Sequence, residues 1–189
     1  MPYEIKNFDG LLGVAGFGDQ LLKNHLTLYQ GYVNNFNKLN DILVQVEKEG
    51  KYGTPEYAEL NRRLGWEFNG MRLHELYFEN IAKTESRISD KLKQSIEKEF
   101  GSFEFFEKDF KAMGQMRGIG WVILYQDGER LFNVWINEHD VGHFAGCAPL
   151  LVMDVFEHAY MLDYGLKKTD YIETFFEVID WQVVAKRLA

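Results

Sequence analysis

The hydrophobic period of this chain changes part-way along, and that change restricts the fold more than any other feature. Leu21, Leu22, His25, Leu28, Tyr29, Tyr32, Val33, Phe36 and Leu39 recur at three- and four-residue steps, which describes one apolar stripe on a helix. EKEGKYGTPE then reads as a loop, and Thr54-Pro55-Glu56 as a helix start: hydroxyl cap, proline in the first turn, then an acid. A second helix is expected from Pro55 to Ala82, with Gly65 and Gly70 marking a kink or a close approach. The polar segment 83–90 is the expected boundary. Short helices at 91–100 and 102–113, the second capped by Ser102, precede the change of period, into β-branched and aromatic runs. Residues 120–126 and 130–137 flank Asp127-Gly128, a hairpin signal. Residues 149–153 supply a third strand, a helix carrying Asp154 and His158 follows, and Thr169 and Asp170 open a last helix ending near Ala189. The expectation is an α+β fold. An N-terminal antiparallel helical hairpin (1–85) precedes an α/β lobe (86–189) with a three-stranded antiparallel sheet.

Composition narrows the function classes. The chain has 189 residues, 46% of them hydrophobic and 15% aromatic, enough to bury a large core. A formal charge of −8 disfavours nucleic acid, whose binding needs clustered Lys and Arg, but leaves room for a small anion met by local charges. The one cysteine, Cys147, excludes an intramolecular disulfide and suits a reducing cytosol. The start MPYEIKNFDG lacks the basic and apolar regions of a signal peptide, and no apolar run approaches membrane-spanning length. A cytoplasmic protein is expected, with neither nucleic acid nor membrane as partner.

Chemistry enters through the histidines. Asp154 and His158 stand four residues apart, a spacing that on a helix sets both side chains on one face. A carboxylate oxygen and a neutral imidazole nitrogen suit iron, manganese or zinc. His25 lies on the stripe of the first helix and His74 in the aromatic stretch of the second. Each alone reads as a hydrogen-bonded core histidine; the four together make a plausible three-imidazole, one-carboxylate site at the junction of the lobes.

The stretch APLLVMDVFEHAYMLDY, with FGSFEFFEKDF, GIGWVILY and IDWQVVAKRLA, resembles the iron/manganese superoxide dismutases over essentially the whole chain. The resemblance implies His25, His74, Asp154 and His158 as ligands of one iron or manganese ion per subunit. It implies Trp121, and less directly Tyr77, as aromatic lining. It implies Tyr32 as a gateway that relays protons, and a homodimer (or tetramer) in which Glu157 bridges to the partner subunit's His158. Superoxide is the implied substrate, with dioxygen and hydrogen peroxide as products. The alternative is other mononuclear metal chemistry on the same fold, an oxidase or a hydrolase.

Several residues depart from the family pattern. Ligand and gateway tyrosine are usually eight residues apart, but His25 and Tyr32 are seven apart. An ungapped match would make Asn24 the ligand. A one-residue deletion keeps His25, and seven residues return a side chain to within about 20° on a regular helix. Tyr29 and Met161 stand where the family has a histidine and a tyrosine that meet across the dimer at the substrate funnel. Phe156 replaces the signature tryptophan. One subgroup draws its outer-sphere residue, which hydrogen-bonds the metal's solvent ligand, from four residues before the second ligand, here Gly70. The other draws it from the sheet, and counting back from Gly146 puts His139 in that slot, where it would tune the potential. His143 has no family role.

Overall fold

A computed structural model describes residues 1–189. The first 17 residues form an arm that from Phe8 onward is a run of turns, with a short 3-10 turn at Asp9–Leu11. Helix α1 (Asp19–Lys48) buries Leu22, His25, Leu26, Tyr29 and Val33, the three- and four-residue steps of the predicted stripe. Leu28, counted in that stripe, is exposed, and Leu26 is buried instead. Helix α2 (Pro55–Glu79) starts as its sequence dictates: the Thr54 side chain accepts from the Tyr57 N–H at 3.1 Å, with Pro55 in the first turn. Gly65 has open space around it, whereas Gly70 is the site of a close approach. A Cβ there would meet the Tyr32 ring at 2.6 Å.

The second helix stops at Glu79, three residues short of the predicted end, and the predicted last helix is split into α6 (Lys168–Glu177) and α7 (Trp181–Arg187). One pairing causes both corrections. Ile81 bridges Ile179, the Ala82 N–H donates to the Val178 carbonyl at 2.8 Å, and the Asp180 N–H donates to the Asn80 carbonyl at 2.6 Å. Backbone groups spent on this contact cannot extend either helix. Asp180 rather than Thr169 is the capping residue, accepting from the Gln182 and Val183 N–H groups.

Helices α3 (Asp90–Phe100) and α4 (Phe103–Gln115) are capped by Ser89 and Ser102. The sheet has strand order β2-β1-β3, all antiparallel, from β1 (Trp121–Asp127), β2 (Arg130–Ile136) and β3 (Ala148–Asp154). The hairpin turn is Gly128-Glu129, one residue later than Asp127-Gly128, because Asp127 pairs with Arg130; Gly128 takes the positive φ of +55°. A one-residue irregularity in β3 leaves Leu150 out of the ladder, and its carbonyl accepts from the Arg187 guanidinium at 2.8 Å. Arg187 also donates to Asn80, Leu76 and Glu79, fastening α7 to the end of α2.

The predicted helix carrying Asp154 and His158 is not present. β3 pairs with β1 as far as Asp154 opposite Trp121, and the Val155 N–H donates to the Gly120 carbonyl at 2.9 Å, so the backbone is extended through this point. The Asp154 Oδ1 atom then accepts the Phe156 N–H at 2.8 Å, an Asx turn that reverses the chain. His158 follows in a 3-10 turn (Glu157–Ala159), ahead of the four-residue α5 (Met161–Tyr164). Ladder, turn and 3-10 segment together bring the two side chains as close as a helix would. No helix is long and apolar enough to cross a membrane.

Candidate metal centre

Asp154 ends β3, whose last five residues are buried, and its turn commits Oδ1 to the backbone. Its other oxygen, Oδ2, faces three imidazoles: His25 Nε2 at 3.2 Å, His158 Nε2 at 3.1 Å and His74 Nε2 at 3.7 Å. The helical hairpin contributes His25 and His74, and the sheet lobe contributes Asp154 and His158. One ligand atom from each lies within 4.8 Å of the others. His25, His74 and Asp154 are completely buried, and the His158 side chain is 24% exposed. The four residues form a buried metal-binding group between the lobes.

The donor set fits iron or manganese on physical grounds. The His74 Nδ1–H donates to the Gly70 carbonyl at 2.6 Å, because a carbonyl can only accept, so Nε2 carries a lone pair. That Nε2 is buried without a hydrogen-bond partner. A buried lone pair with no donor costs free energy unless a cation takes it. Protonation states agree. Burial pushes His25 and His74 below the ordinary histidine value despite the nearby carboxylate. Burial alone would raise the Asp154 carboxyl, but His158 and His25 hold it well below the usual carboxylate range. Burial would lower His158 too, and the Asp154 charge outweighs it, leaving this imidazole raised. Metal binding needs neutral imidazoles and an ionised carboxylate, and His25, His74 and Asp154 are held in those states before any ion arrives.

A second layer surrounds these four. His139 is completely buried, and burial pushes its pKa down to about 4. Its Nδ1 accepts from the Trp121 indole N–H at 3.1 Å, so the hydrogen sits on Nε2, which lies 2.8 Å from the Tyr32 hydroxyl. Tyr32 stacks on His74 with ring centroids 5.0 Å apart, in the space that Gly70 leaves open. Phe156 lies 4.8 Å from the His139 ring and stacks on His158. Trp121 meets His74 edge-on at 5.0 Å.

The seven-residue spacing is therefore no obstacle: α1 is an uninterrupted α-helix, and His25 and Tyr32 face the same centre. Asn24 lies on the rim, accepting from the Gln20 amide at 2.9 Å. Tyr29 is a correction. Instead of standing at the funnel, it is buried behind the hairpin, donating to Glu75 Oε1 at 3.1 Å and accepting from the Lys6 N–H at 3.0 Å. Arg72 and Lys6 balance the buried Glu75, which makes this pocket attractive to a phenol. Met161 is 37% exposed, and no contact joins it to Tyr29 within the chain. Tyr77 packs against His25 at 5.2 Å, and its hydroxyl meets that of Tyr171, which donates to the Asp154 carbonyl at 2.6 Å.

Trp66 and Tyr171 were missed in the sequence. Trp66 lies 5.4 Å from Tyr32 and 4.6 Å from His139, with the Arg63 guanidinium 4.1 Å above its ring. Its signal was available: Trp66, Gly70 and His74 are spaced four apart on one face of α2. An open depression of about 300 Å³ leads to Tyr32 between α1 and α2, lined by Asn24, Thr27, Leu28, Gly31, Arg63 and Trp66 among others.

Residues 88–187 match the profile of the iron/manganese superoxide dismutases, C-terminal domain. A superoxide dismutase of Haloferax volcanii, named for manganese, is 34% identical over 99% of this chain and 92% of its own length. One of Cupriavidus metallidurans, named for iron, is 35% identical over 93% and 90%. Another named for iron, from Saccharolobus solfataricus, is 35% identical over 85% and 79%. The chain belongs to the iron/manganese superoxide dismutase family.

Proposed function

We propose that this chain is a superoxide dismutase, turning two superoxide anions and two protons into dioxygen and hydrogen peroxide. The observation that carries the reading is the buried group of three histidines and Asp154, backed by the His139–Tyr32 hydrogen bond on its open side. One iron or manganese ion per subunit, when bound, supplies the one-electron couple that takes an electron from one superoxide and gives it to the next. His25, His74, His158 and Asp154 hold the ion, and the carboxylate offsets part of its charge in a site where three of the four residues are fully buried. Trp121 fixes the tautomer of His139, so that a hydrogen on Nε2 points toward Tyr32. Burial keeps the Tyr32 phenol protonated well above the ordinary tyrosine range, so at neutral pH it holds a proton at the mouth of the site.

Lobes 1–85 and 86–189 each supply two ligands, which supports the division between them. A cytoplasmic homodimer completes the reading. Glu157 is exposed, and His158 turns Nε2 inward, leaving an Nδ1 that no group of its own chain satisfies. Glu157 of one subunit bridging to the partner subunit's His158 would give that nitrogen its acceptor. The reduced Cys147 suits the cytosol.

The decisive measurement is superoxide decay by protein loaded separately with iron and with manganese, normalised to bound metal. At least one form is expected to outpace the free ion by orders of magnitude; stoichiometric loading with no gain in either form refutes the reading. Tyr32→Phe is expected to lower turnover about a hundredfold, the low end of the range for losing a positioned proton donor, and to alter its pH dependence. Unchanged turnover and pH profile would remove Tyr32 from proton delivery.

A further inference from the structure

Residues 137–147 connect β2 to β3, and their conformation is not self-supporting. The Val141 N–H closes a tight turn on the Asn137 carbonyl at 3.3 Å. Within that turn Glu138 has φ +56°, a left-handed conformation that a glutamate adopts at a cost. His139 comes next. Its carbonyl accepts no backbone N–H, so neither the turn nor the sheet fixes that peptide. His143 does: its Nε2 lies 2.7 Å from the His139 carbonyl oxygen. A carbonyl only accepts, so Nε2 carries the hydrogen and Nδ1 is an acceptor. The Tyr125 hydroxyl, 2.6 Å from Nδ1, is then the donor. Tyr125 sits on β1 four residues beyond Trp121, and its ring stacks on Phe144. One strand thus grips His139 twice, directly at the imidazole through Trp121 and at the peptide through Tyr125 and His143.

We infer that His143 is a positioning residue, clamping the His139 peptide to β1 through Tyr125 so that the His139 imidazole stays between Trp121 and Tyr32. The inference rests on the role given to His139 above. Without the clamp, the strain at Glu138 is free to relax and carry His139 away from Tyr32. A loop brace with no bearing on the site would change thermal stability alone. A positioning residue changes what His139 does.

The test compares His143→Ala, His143→Gln and Tyr125→Phe with His139→Ala as reference. Three readouts apply: the nitrogen–proton NMR resonance of the Trp121 indole in metal-free protein, the midpoint potential of the iron-loaded protein, and kcat and KM for superoxide. His143→Ala is expected to move the indole resonance and the potential in the direction that His139→Ala moves them. It is expected to lower kcat about tenfold, typical of an outer-shell partner, with KM nearly unchanged. His143→Gln places an amide N–H where Nε2 was and recovers most of the loss. Tyr125→Phe gives a smaller change of the same sign and adds nothing to His143→Ala. If His139→Ala moves the resonance and potential while His143→Ala and Tyr125→Phe leave both at wild-type values, the inference is overturned; should His143→Ala fail to fold, Tyr125→Phe alone decides it. If His139→Ala itself moves neither potential nor turnover, the role given to His139 fails, and the inference falls with it.

Discussion

Replacing Asp154 with alanine is expected to cost more than about a hundredfold in metal affinity, because even partners one bond further out cost about 10–100-fold. Dismutation should vanish with the metal. The carboxylate does three things at once. Its Oδ1 atom makes the turn at Phe156, its Oδ2 atom gathers His25 and His158, and its charge is the only negative one among the four ligands. An asparagine in its place keeps the turn and loses the charge, so Asp154→Asn separates the two contributions. It should fold like the parent and still bind metal poorly. Elemental analysis after dialysis and competition with a chelator measure both variants. Stoichiometric, tightly held metal in Asp154→Ala would show that the carboxylate is not a ligand.

The largest stability effect is expected at Gly120, which no chemistry touches. Its φ is +126°, and a Cβ there would lie 1.9 Å from the Ile136 carbonyl oxygen and 3.0 Å from its carbon. Both obstacles are backbone atoms at the end of β2, so no side chain can swing aside. Gly120→Ala should cost about 3 kcal/mol or more, from a strained backbone of about 1–3 kcal/mol and an overpacking penalty of similar size. In a chain of this length that lowers the melting temperature by roughly 10 °C. Gly65→Ala is the control with the opposite sign. It lies inside α2 with nothing within 4 Å, and alanine there should gain about 1 kcal/mol of helix propensity. Thermal unfolding of the metal-free proteins measures both, and equal effects would show that backbone geometry at Gly120 is not what matters.

Much of this was legible in the sequence because it is local. The stripe of α1, the Thr54 cap, the serine cap of α4 and the hairpin around Gly128 are each set by residues a few positions apart. The four ligands were legible too, through residue type and resemblance. What was misread depends on partners far along the chain. Asp154 and His158 at a four-residue spacing fit a helix equally well, and only the pairing of β3 with β1 makes that segment a strand and a turn. The breaks at Glu79 and Glu177 come from one contact between segments about a hundred residues apart. Tyr29 turned inward because Glu75, 46 residues away, lies buried beside its hydroxyl. Sequence period records what neighbours along the chain require, and it is silent about such long-range partners.

The four ligands are shared between the two lobes, and three of them are wholly shut off from solvent. An ion held there cannot leave one ligand at a time through open water; the helical hairpin and the sheet must part for it to go. Exchange is then limited by a local opening of the fold, whose rate is set by packing between α1, α2 and β3 rather than by bond strengths at the ion. Iron and manganese compete only while the lobes are still coming together, so the occupant of a mature molecule records which ion was abundant at assembly. Isotope exchange of the bound metal should accordingly proceed no faster than hydrogen exchange at the buried ends of α2 and β3.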